Sequence, residues 1–551
     1  MTRLQNPLRR TLLAIVAILA VVAGGLAGSV DRAAAEPPSF CDINNDGFHD
    51  LIVGAPGWDQ DFENEGAMLI YLGRNNATDP LNPVPFQALV SPRDIAATNN
   101  QYGSTFVCAD FDADGFDDIA VGVSKAQINL DGDSIPGAGL VTIVFGEPLS
   151  RGSIEGWNFT QQAFSGETDA RPGDAFGFEL SWGDYDGDGV ADLAASAPGQ
   201  DFFPDAGGEV SNVGSVHIGY GHSRLAQSGV FDRTQMIAQG FNTKGRPRAN
   251  NFFGESLVSA NFAGDIATDL VVGAPREDVK GVRDAGTVTV IKGKIGRGLR
   301  GGQILSKKAK KIPGNPQVDG RFGATLFLTS LLGDSTDDLL IGAPREDVGG
   351  KVDAGAVYVI PGKANGKLQV KRTVRLHQDS PGIADKAEAG DLFGASLSIA
   401  DWNGDGFFDL IAGVPFEDVR KGRDAGAIHV IQGNAKGLSR RDSLQHQSRR
   451  SIGGRAKTGE LFATSISVGN FNANGAIEMA IGVPLENVAG MRDVGRVNIV
   501  GGLARQILQP PPDLLQAGMR FGSFNRAVSL GTYVNNPTST GVFDPANTGT
   551  H

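Results

Sequence analysis

Four nine-residue stretches place oxygen-bearing side chains at alternate positions: Asp42, Asn44 and Asp46 with Asp50; Asp110, Asp112 and Asp114 with Asp118; Asp184, Asp186 and Asp188 with Asp192; Asp401, Asn403 and Asp405 with Asp409. Carboxylates crowded this closely repel one another unless a cation sits among them, and hard oxygen donors suit Ca2+. A glycine at the sixth position (Gly47, Gly115, Gly189, Gly406) permits the sharp turn around an ion. The backbone carbonyls of Phe48, Phe116, Val190 and Phe407 supply the seventh-position donor. About four calcium sites are therefore expected. The spacing matches the first nine positions of a helix-flanked EF-hand loop, but strand-like runs flank it here and an aspartate at position nine replaces the distant bidentate glutamate. Aspartates that only made Asx turns would not need the complete spacing. Three further copies lose ligands and the turn glycine together or lose charge. Asn261, Ala263, Asp265 and Asp269 surround Ile266, and Ser330, Leu332, Asp334 and Asp338 surround Ser335, so both are expected to be metal-free. Asn470, Asn472, Asn474 and Glu478 carry one formal charge, for weak binding or none.

The elements that position these loops are short Val/Ile-rich runs bounded by Gly, Pro and Asp, in a chain with 77 glycines among 551 residues, which is an all-β signature. They repeat. Residues 272–293 (VGAPREDVKGVRDAGTVTVIKG), 341–362, 412–433 and 481–502 align without a gap at a period of about 70 residues. Looser copies begin at Val53, Val121 and Ala195, making seven units. Upstream of each of the later copies, and once more near the C-terminus, stands an aromatic followed by a small residue: Tyr102-Gly103, Phe176-Gly177, Phe253-Gly254, Phe322-Gly323, Phe393-Gly394, Phe462-Ala463 and Phe521-Gly522. The aromatic can fill the space between neighbouring sheets while the glycine admits close backbone approach, and Gly-Ala-Pro ends a strand because proline cannot extend the ladder. Each unit holds about four short strands, the content of one propeller blade.

These elements resemble the FG-GAP repeats of the integrin α-chain propeller, and the resemblance covers nearly all of residues 36–531. It implies an all-β, seven-bladed β-propeller of FG-GAP repeats with calcium-binding loops between the first two strands of a blade. It also implies an adhesion or ligand-binding module whose partner is a protein or a glycan. A carbohydrate-binding propeller lectin and a hydrolase-associated FG-GAP protein are the alternatives. The two landmarks are offset by half a unit: the loop at 42–50 and Gly54-Ala55-Pro56 have no FG before them, and Phe521-Gly522 has no GAP after it. A C-terminal strand including Ala527 to Leu530 is thus expected to complete the first blade.

Arg3, Arg9 and Arg10 precede an apolar run from Leu12 to Ala27 and small residues at 33–35, which reads as a signal peptide over 1–35 and a secreted product, extracellular, cell-surface or periplasmic. Residues 532–551 read as a polar tail, and no later run is long and apolar enough to span a membrane. A formal net charge of -13 argues against a nucleic-acid partner. Cys41 and Cys108 form either one disulfide stapling adjacent blades or two free buried thiols. His217 and His429 share a third-strand slot with Thr142, Thr289, Tyr358 and Asn498, which reads as a strand surface; without a nucleophile or phosphate-cradling motif, no enzyme activity is expected. The loops after GAP carry Glu277, Asp278, Asp284 and their repeats, either a carboxylate ring for a basic partner or further cations, or solvated polar loops.

Overall fold

Runs such as DLIAGV and AIHVI combine β-branched and small residues so that both faces are apolar, and they form strands without an exposed position, Asp409–Val414 and Ala427–Ile431. An antiparallel strand buried on both faces needs a sheet packed on each side. The repeat supplies it: Ser396–Ala400, Asp409–Val414, Ala427–Ile431 and Asp442–Gln445 pair in that order as an antiparallel meander. Six sheets of four or more strands share this plan, two of them extended to five by a short added strand.

This computed structural model describes residues 41–522 and 539–540, apart from short stretches such as 83–86, 91–96, 147–155, 166–169, 203–207, 263–265, 332–336 and 473–476. The signal peptide expected over 1–35, the Ala527 to Leu530 strand and most of the 532–551 tail fall outside the described residues, as do parts of the fourth, fifth and seventh loops. The first sheet, Leu51–Ala55, Ala67–Tyr71 and Gln87–Val90, has three strands. The expectation of seven four-stranded blades is corrected accordingly: among the described residues six are complete, and the first lacks the strand that would precede its metal loop. The half-unit offset of the landmarks is the reason, since no FG precedes that loop in sequence.

The sheets nevertheless make one ring, an all-β propeller. First strands of successive sheets lie against one another from Thr105–Ala109 round to Ile466–Gly469. The seventh sheet then meets the first: Arg74 N–H donates to the Phe471 carbonyl at 2.9 Å. Gln506 exchanges two hydrogen bonds with the Leu81 backbone, at 3.1 and 2.9 Å. One apolar cluster includes Ile52, Phe106, Ile428 and Ile481 and so bridges the ends of the ring. FG elements are pinned in their sheets by a bond to the GAP strand, with Gly254, Gly323 and Gly394 donating to the carbonyls of Gly273, Gly342 and Gly413 at 3.0 Å. Between sheets the contact is tight enough to demand glycine: Gly426 has φ +84° and a Cβ there would collide with the Phe462 backbone.

One sequence reading changes in the ring, and one left open is decided. His217 and His429 do not face solvent; both are fully buried between blades, against Phe176 and Phe393. The sulfur atoms of Cys41 and Cys108 are joined, with Cα atoms 5.4 Å apart, linking the chain just before the first metal loop to the strand Thr105–Ala109 of the second sheet. No helix among the described residues is long and apolar enough to cross a membrane.

Candidate metal centre

All four full loops close in the same way, and the backbone shows why. The carboxylate at position one accepts N–H bonds from positions five and six: Asp110 from Asp114 (3.1 Å) and Gly115 (3.0 Å), Asp42 from Asp46 (2.9 Å) and Gly47 (2.8 Å), Asp184 from Asp188 (3.0 Å) and Gly189 (2.9 Å), Asp401 from Asp405 (3.0 Å) and Gly406 (2.8 Å). That closure needs a left-handed residue at position six, and Gly47, Gly115, Gly189 and Gly406 have φ of +82°, +93°, +93° and +83°. The position-five carboxylates of Asp46, Asp114, Asp188 and Asp405 in turn accept the N–H of Phe48, Phe116, Val190 and Phe407.

The result gathers charge. Asp110, Asp112 and Asp114 bring one oxygen each within 4.8 Å of one another, as do Asp184, Asp186 and Asp188. In the first and sixth loops Asn44 and Asn403 hold position three, and Asn44 Nδ2 donates to Asp46 at 3.1 Å. Burial, reinforced by Asp114 and Asp110, pushes the Asp112 carboxyl up to about 6. Burial likewise raises Asp42, Asp110, Asp184 and Asp186. One oxygen of Asp112 and one of Asp186 are buried without a hydrogen-bond partner. An orphaned anionic oxygen beside two further carboxylates is the donor set a hard cation satisfies, so the residues fit calcium. Bound there, the ion would be held by positions one, three and five and would offset the burial and the lesser mutual repulsion that raise these carboxyls.

The ninth position has a second task that spacing did not reveal. Asp118 Oδ2 accepts the Phe111 N–H (2.8 Å) while its Oδ1 accepts the N–H of Gly146, just past the third strand (2.9 Å). Asp50, Asp192 and Asp409 do the same with Gly73, Gly221 and Gly433. Asp269 and Asp338, in the degraded fourth and fifth loops, still hold Gly293 (2.9 Å) and Gly362 (3.0 Å). The ninth carboxylate therefore locks the end of the third strand whether or not the rest of the loop can take an ion. The signal was in the sequence: it persists where the other ligands are lost. Burial is the main cause that pushes Asp118 and Asp192 up to about 9, and it raises Asp50 and Asp409 too.

The third loop carries an extra cation of its own. Arg233, on the fourth strand of that sheet, puts Nη1 2.6 Å from Asp186 Oδ2 and stacks over Tyr220.

The post-GAP carboxylates do not form an exposed ring. Glu346, Glu417 and Glu486 are buried, and each accepts from a residue of the preceding sheet: Lys307 (2.7 Å), Gln378 (2.6 Å) and Gln447 (2.9 Å). Glu277, half-buried, accepts from Gln239 at 2.7 Å. They are latches between neighbouring blades. Asp278, Asp347 and Asp418 instead accept the N–H of Asp284, Asp353 and Asp424 across the loop.

The FG-GAP repeat family profile matches residues 38–71, 176–218, 333–360 and 393–431. The chain is 31% identical over 225 residues to integrin alpha-PS2 of Drosophila melanogaster, covering 40% of this chain and 14% of that one. Integrin alpha-3 of Mus musculus is 30% identical over 229 residues, 40% of this chain and 18% of that one. Phosphatidylinositol-glycan-specific phospholipase D of Homo sapiens is 34% identical over 167 residues, 30% of this chain and 18% of that one. The matched segments thus span less than a fifth of these relatives.

Proposed function

For a chain that carries FG-GAP repeats and is integrin α-like, we propose an exported β-propeller braced by calcium that serves as an adhesion or ligand-binding module rather than an enzyme. The observation that carries it is the repeated loop with its orphaned Asp112 and Asp186 oxygens, a donor set suited to a hard cation. Calcium would act as a brace between the first two strands of blades one, two, three and six. Export is supported by the leader-like sequence of residues 1–35 and by the Cys41–Cys108 bond, which suits an oxidising compartment. Ligands are a protein or a glycan met outside the cell.

Seven blades are part of the same proposal. Gly522 N–H donates to the Gly54 carbonyl at 3.1 Å, the bond by which other FG glycines hold their own GAP strand. That bond brings Phe521-Gly522 to the first blade, where the C-terminal strand expected from the sequence would complete it. A truncation before Pro510 is expected to lower thermal stability markedly; unchanged melting would refute the closure.

Calorimetric titration of the metal-stripped protein tests the calcium reading, with about four sites expected from four complete loops. Retained metal-free stoichiometry on calcium addition would reject the sites while leaving the propeller intact. Phosphodiester, ester and glycosidic reporters are expected to remain uncleaved; turnover abolished by substituting one of the chain's own side chains would overturn the binding-module reading.

A further inference from the structure

We propose that the post-GAP side of the seam between blades six and seven is a docking surface for a sulfated linear polysaccharide. Two loops build it, residues 418–424 after the sixth GAP and residues 446–460 leading to Phe462. They touch: Gly459 N–H donates to the Arg423 carbonyl at 2.8 Å, and Ala456 packs against the cluster of Val419, Ala425 and Ala427. Together the loops carry seven Lys and Arg against three Asp and Glu, in a chain whose formal net charge is -13. Arg420, Lys421, Arg423, Arg449, Arg450 and Arg455 are all exposed, and among the described residues none of these six side chains makes an ion pair or a hydrogen bond.

The frame does not need this charge. Blade five has the same two loops, 347–353 and 377–391, with two Lys and Arg against six Asp and Glu. The backbone is held alike in both: Asp379 Oδ1 accepts the Ala387 N–H at 3.3 Å, and Ser448 Oγ accepts the Ala456 N–H at 2.9 Å. Serine keeps that bond and drops the negative charge. Arg449 and Arg450 stand where blade five has Ser380 and Pro381, and Arg420 and Lys421 stand where it has Gly349 and Gly350. Val419 and Gly422 exchange two 2.9 Å backbone bonds around that tip. In blades four, five and seven the second tip residue is a glycine, Gly281, Gly350 and Gly490, with φ of +79°, +85° and +84°. An exposed lysine in place of the turn glycine adds no packing, and a local rule broken without a structural gain marks a functional surface.

Arg423 is left unpaired by a second departure. In blade four the equivalent Arg283 lies 2.7 Å from Asp319. Asp319 N–H donates to the Arg283 carbonyl at 3.0 Å just as Gly459 N–H donates to that of Arg423, so Gly459 stands in the place of the missing carboxylate. The arginine is kept and its partner is not. Burial, and then the charges of Arg449 and Arg420, hold the His446 imidazole below its ordinary value, which shows cations of both loops reaching one ring. Unpaired guanidinium groups bind oxyanions through paired N–H bonds, and clustered Lys and Arg on a folded surface attract polyanions. Single-stranded nucleic acid would also ask for aromatic faces to stack on, and a membrane for an apolar wedge. Among the described residues, no exposed large apolar side chain lies between Phe408 and Ile507. The surface suits a chain that presents sulfate groups in series and is read by charge.

This surface rests on the ligand-binding reading and names the class of its glycan, without using the metal loops. The calcium-loaded full chain would be titrated with a heparin octasaccharide and with its fully desulfated counterpart. The sulfated chain is expected to bind about tenfold more tightly or better, with an affinity that falls as salt rises. Arg420→Gly with Lys421→Gly, which restores the blade-five tip, and Arg449→Ser with Arg450→Ser should each weaken binding about tenfold and leave melting and calcium stoichiometry unchanged. Arg297→Ser with Arg300→Ser removes two exposed cations from blade four and should leave the affinity unchanged. Equal binding of the two saccharides, no binding at millimolar concentration, or equal losses from the blade-four pair and the blade-six pair would overturn the surface. So would tighter binding of a single-stranded DNA of equal charge or of phosphatidylserine vesicles. Failure to bind heparin in a chain that takes up its calcium would leave the calcium-braced module standing, whereas a chain that takes up no calcium, or that cleaves a reporter, would remove that reading and leave the titration to judge the surface.

Discussion

Asp338→Ala is the sharpest test of the two roles assigned to the ninth loop position. Its loop is one of those expected to be metal-free, but Asp338 is fully buried and accepts the Gly362 N–H at 3.0 Å. Alanine leaves that buried donor unpaired, a loss of about 1–3 kcal/mol. For the roughly 480 residues between 41 and 522, an unfolding entropy of about 2.1 cal/mol/K per residue totals about 1 kcal/mol/K. Melting of the calcium-free protein should therefore fall by about 1–3 °C with calcium stoichiometry unchanged. Asp114→Ala should do the reverse, because Asp114 is exposed and its structural bond is a local one to Phe116 at 2.9 Å. It should remove one calcium and hardly move the metal-free melt. Scanning calorimetry in chelator, paired with calcium titration, reads both effects. If Asp338→Ala reduced calcium stoichiometry, or Asp114→Ala destabilised the metal-free protein as much as Asp338→Ala, the division of labour would be wrong.

Arg233→Ala should tighten calcium binding at the third loop, because the guanidinium 2.6 Å from Asp186 competes with the ion for that carboxylate; unchanged or weaker affinity in a titration would refute this. Replacing both Cys41 and Cys108 by alanine should lower stability by up to about 4 kcal/mol, the chain-entropy value for their separation of 67 residues, read as a shift of the denaturant midpoint. Asp174 is buried and its carboxyl is pushed up to about 7, chiefly by burial and then by Asp201. A folded-state value above the unfolded one, about 3.9, means that its stabilising contribution is full below pH ~4 and is lost as pH rises through 7. Asp174→Asn should accordingly flatten the fall in stability between those limits; an unchanged pH profile of melting would count against it.

The sequence alone was enough to determine the repeat, the all-β character, the strand that ends at each GAP and the complete spacing of four oxygen-donor loops. All are local: an oxygen at every second position, a glycine where φ must be positive, a proline where a ladder must stop, each legible within a dozen residues. Tertiary structure decided what those residues meet across the ring. Glu346, Glu417 and Glu486 looked like members of a solvated acidic loop, yet their partners stand about 39 positions away on the preceding blade, at a separation no local pattern reports. His217 and His429 alternate like surface positions, but a propeller covers both faces of each sheet, so outward from one strand means inward to the next blade. Arg233 reaches Asp186 only because the fourth strand brings it back beside the loop 47 residues earlier. The ring closes by the same logic, since Gly522 can find Gly54 only after every intervening sheet has turned the chain by its share of the circle.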